Sequence, residues 1–149
     1  MTEEIFTNVA CINYRIMTVD VKLQSYLCIL PKQWSTFICM FKCASHKLPV
    51  VTGRYGNIAL EHRLYTLCDK NDIGDEIHYL FYCNFFINSR KKYLKRYYYT
   101  NVNTIKIGEL FNTKNLNTLL NLAKFIKEIS CFFQGESLIL IYYYVSAVG

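Results

Sequence analysis

A chain of 149 residues, 52% hydrophobic and 19% charged, has enough apolar material for one folded domain, which excludes an intrinsically disordered protein. The net charge of +6 permits an anionic partner without requiring one. The longest apolar run, residues 138–145, is far shorter than the roughly 20 residues of a spanning helix, so the sequence predicts no membrane span.

The N-terminal segment MTEEIFTNVAC carries Glu3 and Glu4, whereas a secretory signal would begin with basic residues. We therefore expect an intracellular protein, cytoplasmic or nuclear, whose seven cysteines stay reduced. Residues 1–134 are predicted to form a single helical domain. Residues 135–149 form an apolar tail whose order the sequence does not define, and an exposed tail of this kind would promote self-association.

The hydrophobic pattern predicts a mainly α-helical fold of four or five helices, with a small β-hairpin or zinc-knuckle-like element near residues 64–83. The first strong helix begins at Pro31, and its apolar side chains recur at the helical spacing: Trp34, Phe37, Ile38 and Phe41. Residues 105–111 form a short predicted helix. The apolar stripe of the last and longest helix comprises Leu116, Leu119, Leu120, Ala123, Ile126 and Phe133.

A helical projection of residues 86–97 separates an apolar arc from a basic one. The apolar arc contains Phe86, Tyr93, Leu94 and Tyr97. The basic arc contains Lys91, Lys92, Lys95 and Arg96. Such cations would contact phosphates while the neighbouring tyrosines stack on unpaired bases. The alternative interpretation is a solvated helix face beside a packed aromatic strip.

Arg90 falls inside the apolar arc of the same projection. A buried guanidinium requires a partner, because an unpaired charge in a protein interior is very costly. Asp75 and Glu76 are the nearest acidic residues in the sequence. We therefore predict that Arg90 is a structural residue that forms an internal ion pair and so ties its helix to the preceding turn.

Three residues with zinc-ligand chemistry follow the spacing C-x9-H-x4-C: Cys68, His78 and Cys83. A structural zinc ion takes four nitrogen or sulfur ligands in a tetrahedron, so the pattern lacks one ligand. Tyr65 stands three residues before Cys68, and His62 or Asp69 would have to supply the fourth ligand. In the alternative interpretation, both cysteines are small buried hydrophobes and the histidine packs at a helix start.

Several short motifs follow one another within residues 41–98: HKLP, GR, an arginine before the cysteine site, DE-x-H-x-L-x-x-C and R-K-K-Y. Their order and spacing resemble the C-terminal CCHC segment of reverse transcriptases from non-LTR retrotransposons, over about residues 11–130. The resemblance implies a zinc-binding segment that contacts nucleic acid. It assigns the second, third and fourth zinc ligands to Cys68, His78 and Cys83, with Tyr65 replacing the first cysteine. Arg63 and Arg90 match basic positions of the pattern.

The chain lacks the residues that a polymerase would need. It contains no Asp-Asp pair to hold catalytic metal ions and no G-x-x-x-x-G-K phosphate loop. We therefore expect no enzyme activity, and we predict a module detached from its polymerase that binds RNA or DNA and has a degenerate zinc site. Two alternatives remain open: a non-functional remnant of a decayed retroelement, and a helical protein–protein interaction domain.

Overall fold

A computed structural model describes residues 13–18, 22–43, 56–59 and 73–133, and in these ranges the chain is mainly α-helical, as predicted. The arm of the predicted hairpin at residues 64–68 and the tail 135–149 lie outside the described residues. No helix in the described ranges has the length and apolar character of a membrane span. The elements are α1 (Tyr14–Met17), α2 (Ser25–Ile29), α3 (Lys32–Lys42), a π-helical turn (His78–Tyr82), a 3₁₀ turn (Asn84–Phe86), α4 (Ile87–Tyr93), α5 (Arg96–Tyr99), α6 (Thr104–Asn112) and α7 (Leu116–Phe133).

Helix α7 runs through the centre of the core, and α3 and α4 both pack along it. Its fully buried side chains repeat with the helical period: Leu119, Leu122, Ala123, Phe125, Ile126 and Ile129. From α3, Ile38 and Phe41 are buried, as the apolar pattern predicts. Asn115 caps α7, because its Oδ1 atom accepts a hydrogen bond from the backbone N–H of Thr118 at 3.0 Å.

Helix α6 joins the N-terminal segment to the rest of the fold, because it packs against both α1 and α5. Asn103 caps its first turn by accepting a hydrogen bond from the backbone N–H of Lys106 at 2.9 Å. At its other end, Asn112 Nδ2 donates to the carbonyl of Met17 at 3.0 Å. This last bond fixes the end of α1 against the end of α6.

The helix predicted across residues 86–97 is interrupted at Leu94 and Lys95, which both have extended backbone, with ψ angles of 142° and 141°. Leu94 is 5% exposed, so the interruption inserts its side chain into the core. Because these two residues are extended, the residues of α5 do not continue the helical arcs of α4. Tyr97, predicted on the apolar arc, is 52% exposed, and that part of the prediction is wrong.

Arg90 is 4% exposed and binds the carbonyl oxygens of the π-helical turn. Its Nε atom donates to the carbonyl of Leu80 at 2.6 Å, and Nη2 donates to those of Tyr79 at 3.2 Å and Cys83 at 3.0 Å. Carbonyls at the end of a helical turn lack partners in the helix itself, and the guanidinium supplies them with donors. The internal, structural position of Arg90 is confirmed, whereas the predicted ion pair with Asp75 or Glu76 stays a prediction.

Candidate nucleic-acid interface

Four predicted phosphate-binding residues within residues 91–96 are all exposed, and they are here called the basic strip: Lys91, Lys92, Lys95 and Arg96. Lys91 and Lys92 lie in the last turn of α4, where a cation also interacts favourably with the helix dipole. Lys95 lies in the interruption itself, as the N-cap of α5, and Arg96 is the first residue of α5. The strip therefore consists of two short helix ends, and its cations are solvent-exposed although the predicted single helix is not formed.

Tyr93 attaches the basic strip to α7. Its hydroxyl donates to Glu128 Oε1 at 2.7 Å, and its ring stacks on Phe125 with centroids 6.2 Å apart. The ammonium of Lys92 lies 4.9 Å from the centroid of the Tyr93 ring. Hydrogen bonding to Tyr93 raises the pKa of Lys92, and the hydrogen bond to Glu128 raises the pKa of Tyr93. Lys92 is therefore a cation, and Tyr93 a neutral phenol, at neutral pH.

Tyr97 presents an exposed aromatic ring directly after the basic strip. Its hydroxyl donates to Glu109 Oε2 at 2.7 Å, and this hydrogen bond raises the pKa of Tyr97. The Lys106 ammonium lies 4.7 Å from the ring centroid, and the ring of Tyr98 packs edge-on at 5.2 Å. These contacts restrain the ring while about half of the side chain stays exposed, so it is available for stacking.

Two depressions meet at Tyr98, which lines both of them. The larger is an open groove of about 830 Å³ between α1 and α6, with Arg15, Ile105 and Glu109 among its lining residues. The smaller is a cleft of about 190 Å³ between the α4–α5 junction and the first turns of α7. Lys95 belongs both to the basic strip and to the lining of this smaller cleft.

The smaller cleft could not be predicted from the sequence, because its lining residues are distant along the chain. One side is lined by residues 93–95 and Tyr98, and the other by Asn115, Asn117 and Asn121. The one available signal is the i, i+4 spacing of Asn117 and Asn121, which places two amides on the same face of α7. Polar residues on a helix face ordinarily indicate solvent exposure, so that signal would not have identified a site.

Of the predicted zinc ligands, the structure describes His78 and Cys83, whereas Cys68 and the candidate fourth ligand His62 lie outside the described residues, as does Arg63. His78 is 3% exposed and Cys83 is 0% exposed, and the Cys83 N–H donates to the His78 carbonyl at 2.8 Å. Among the described residues, no three His, Cys, Asp or Glu side chains form a group that could hold a metal ion. Zinc binding by Cys68, His78 and Cys83 therefore stays a prediction.

Lys42, at the end of α3, is a second buried cation that the sequence reasoning did not identify. Its side chain is 1% exposed, and Nζ donates to Gln24 Oε1 at 2.8 Å. The same atom lies 5.4 Å and 5.2 Å from the ring centroids of Tyr14 and Tyr26, so it contacts residues from both α1 and α2. Burial lowers the pKa of Lys42 from 10.5 to about 8.

The lowered pKa of Lys42 predicts that stability rises with pH. Between about pH 8 and 10 the unfolded chain binds a proton at Lys42 that the folded chain does not, so the free energy of unfolding increases, by up to about 2 kcal/mol. Burial raises the pKa values of Cys131 and Tyr26, which act in the opposite direction at alkaline pH. The measurement is therefore the difference in the free energy of unfolding between the wild type and Lys42→Met, obtained by urea unfolding in the presence of reductant. That difference should change with pH in this window, and a constant difference would contradict the prediction.

Comparisons with protein-family models, curated proteins and solved structures find no match to this chain. The resemblance to the CCHC segment of non-LTR retrotransposon reverse transcriptases therefore depends on the motifs in residues 41–98 alone, and it stays a hypothesis.

Proposed function

We propose that the chain is a non-catalytic module that binds single-stranded RNA or DNA through the basic strip and Tyr97. The observation that carries the proposal is the exposure of four cations and one tyrosine ring within residues 91–97. Cations on such a surface neutralise phosphates, and an exposed ring stacks on a base. The motif resemblance to a nucleic-acid-contacting retroelement segment supports the same function.

A single strand suits this surface better than a duplex. The bases of a duplex are stacked on each other, so a protein ring cannot lie against their faces without unstacking them. Tyr97 is restrained by Glu109, Lys106 and Tyr98, so little conformational entropy would be lost when a base stacks on it. The basic strip lies immediately before this ring, which allows phosphates and a base of one strand to be bound together.

The proposal predicts binding that weakens steeply with salt. Each phosphate contact to a single strand contributes about 0.7 to the slope of log affinity against log salt, so four contacts give a slope of about −3. Fluorescence anisotropy of a labelled single-stranded oligonucleotide, titrated between about 50 and about 200 mM salt, measures this slope. Binding that did not depend on salt, or no binding at the lowest salt, would contradict the proposed function.

A second candidate function, protein–protein interaction, is favoured by an exposed aromatic pair. Phe85 and Phe132 are 48% and 56% exposed, and their rings pack edge to face at 4.9 Å. Exposed aromatic side chains of this kind are enriched where proteins bind partners. Salt-insensitive binding to a protein, lost in Phe85→Ser, would favour this alternative over nucleic-acid binding.

A further inference from the structure

We infer that the smaller cleft, of about 190 Å³, is a nucleobase pocket that takes one base of a single strand whose phosphates contact the basic strip. This inference rests on the proposed nucleic-acid binding and goes beyond it, because it assigns a cleft with polar amides to one base, in addition to the exposed ring of Tyr97. The lining residues used in the argument are Tyr93, Lys95, Tyr98, Asn117 and Asn121.

The cleft has the polar chemistry that recognises a base edge. A carboxamide carries both a donor and an acceptor, and asparagine can therefore make paired hydrogen bonds to a base such as adenine. In the described ranges, the side-chain amides of Asn117 and Asn121 make no hydrogen bond to another residue. A third amide, that of Asn115, uses its oxygen to cap α7 and is less available to a ligand.

The apolar part of the cleft suits a planar ring. Half-buried Tyr93 and Tyr98 line it together with the buried Leu94, so an entering base would exchange water for aromatic and aliphatic contacts. Base–aromatic contacts of this kind tolerate any base, because every base has a π-face. Selectivity between bases would then come from the two amides of α7.

The position of Lys95 identifies the occupant as a nucleotide rather than another planar molecule. Lys95 is exposed, lines the cleft and belongs to the basic strip. A phosphate bound at Lys95 would therefore hold its own base at the mouth of the cleft. An isolated anion would accept hydrogen bonds from the amide N–H groups but leave the amide oxygens without a donor, and an apolar ligand would leave both without hydrogen bonds.

The test compares strands with and without bases. The probes are labelled DNA homopolymers of about 12 nucleotides, within the usual site sizes of single-strand-binding proteins, and an abasic strand of equal length. We expect the wild type to bind the best homopolymer about tenfold more tightly than the abasic strand. Asn117→Ala and Asn121→Ala should each weaken homopolymer binding about five- to tenfold and leave abasic binding unchanged.

Asn88→Ala is the matched control, because it removes an exposed asparagine from α4 that does not line the cleft. It should leave the affinity for both kinds of strand unchanged. Alanine is a good helix former, so all three variants are expected to fold, and their melting temperatures verify this. Should Asn121→Ala unfold, the exposed Asn117→Ala still decides the outcome.

The possible results separate this inference from the proposed function. Homopolymer binding that exceeds abasic binding but is unaffected by both asparagine variants would overturn the base pocket and leave the proposed function standing. Equal, salt-dependent binding of homopolymers and the abasic strand would overturn both the pocket and the stacking on Tyr97, and leave only phosphate binding by the basic strip. The absence of binding to any strand at low salt would overturn the pocket and the proposed function alike.

Discussion

Arg90→Met is expected to lower the free energy of unfolding by about 3–5 kcal/mol, because it removes a buried cation that serves three carbonyl oxygens. A domain of this size is stable by only about 5–15 kcal/mol, so the variant should lose a large part of its stability. Urea unfolding measures the loss through the fluorescence of Trp34, the only tryptophan, which is half-buried against α7.

Two further substitutions test whether the loss of stability is caused by the buried guanidinium. Arg90→Lys keeps the charge but lacks the forked donors, so it should recover only part of the lost stability. Arg96→Met makes the same change at an exposed position and should stay within about 0.5 kcal/mol of the wild type. If Arg90→Met also stayed within that range, the guanidinium would not stabilise the π-helical turn. A cooperative wild-type transition in the same experiment would contradict the alternative that the chain is a remnant that does not fold.

Neutralising the basic strip is expected to reduce single-strand affinity by about 100-fold at low salt, if Lys91, Lys92, Lys95 and Arg96 are all replaced by glutamine. The salt slope should fall from about −3 toward zero, because phosphate contacts are lost with the cations. All four side chains are exposed, so the fold should be retained and the melting temperature should change little. Anisotropy titrations over the same salt range measure both quantities.

A pair of double variants separates a specific surface from general charge attraction. Lys91→Gln/Lys95→Gln and Lys22→Gln/Lys32→Gln lower the net charge equally, and all four lysines are exposed. Lys22 precedes α2 and Lys32 begins α3, so neither belongs to the basic strip. The first variant should weaken binding about tenfold and the second by less than about twofold. Equal losses would show that the positive charge of the whole chain, rather than the basic strip, attracts the strand.

Tyr93 and Tyr97 differ in role because they differ in their contacts and in their exposure. Tyr93 donates a hydrogen bond to Glu128 and stacks on Phe125, so it attaches the basic strip to α7. Tyr97 donates a hydrogen bond to Glu109, and about half of its side chain is exposed. Both carboxylates reduce the positive charge near the strip. The same carboxylates restrain the rings of Tyr93 and Tyr97, so these side chains lose less conformational entropy when a ligand binds.

The sequence alone determined the helices that form the core and the residues that stay in water. Apolar side chains repeating at the helical period predicted α3 and α7, because an amphipathic helix can bury only one face. The exposure of Lys91, Lys92, Lys95 and Arg96 also followed from the sequence, because they share the arc opposite the apolar one in the helical projection, whereas the burial of Lys42 did not follow from it. Arg90 was assigned to the interior by the same projection, and the structure confirms it.

Tertiary packing alone decided where the helix through residues 86–97 breaks and what the break creates. No glycine or proline lies between residues 84 and 100, so local propensity gave no reason for an interruption at Leu94. Burying Leu94 in the core offsets the lost helical hydrogen bonds, turns Tyr97 outward and sets Lys95 beside Asn117 and Asn121 in one cleft. Those asparagines are more than 20 residues further along the chain, and only the packing of α4 on α7 brings the two segments together.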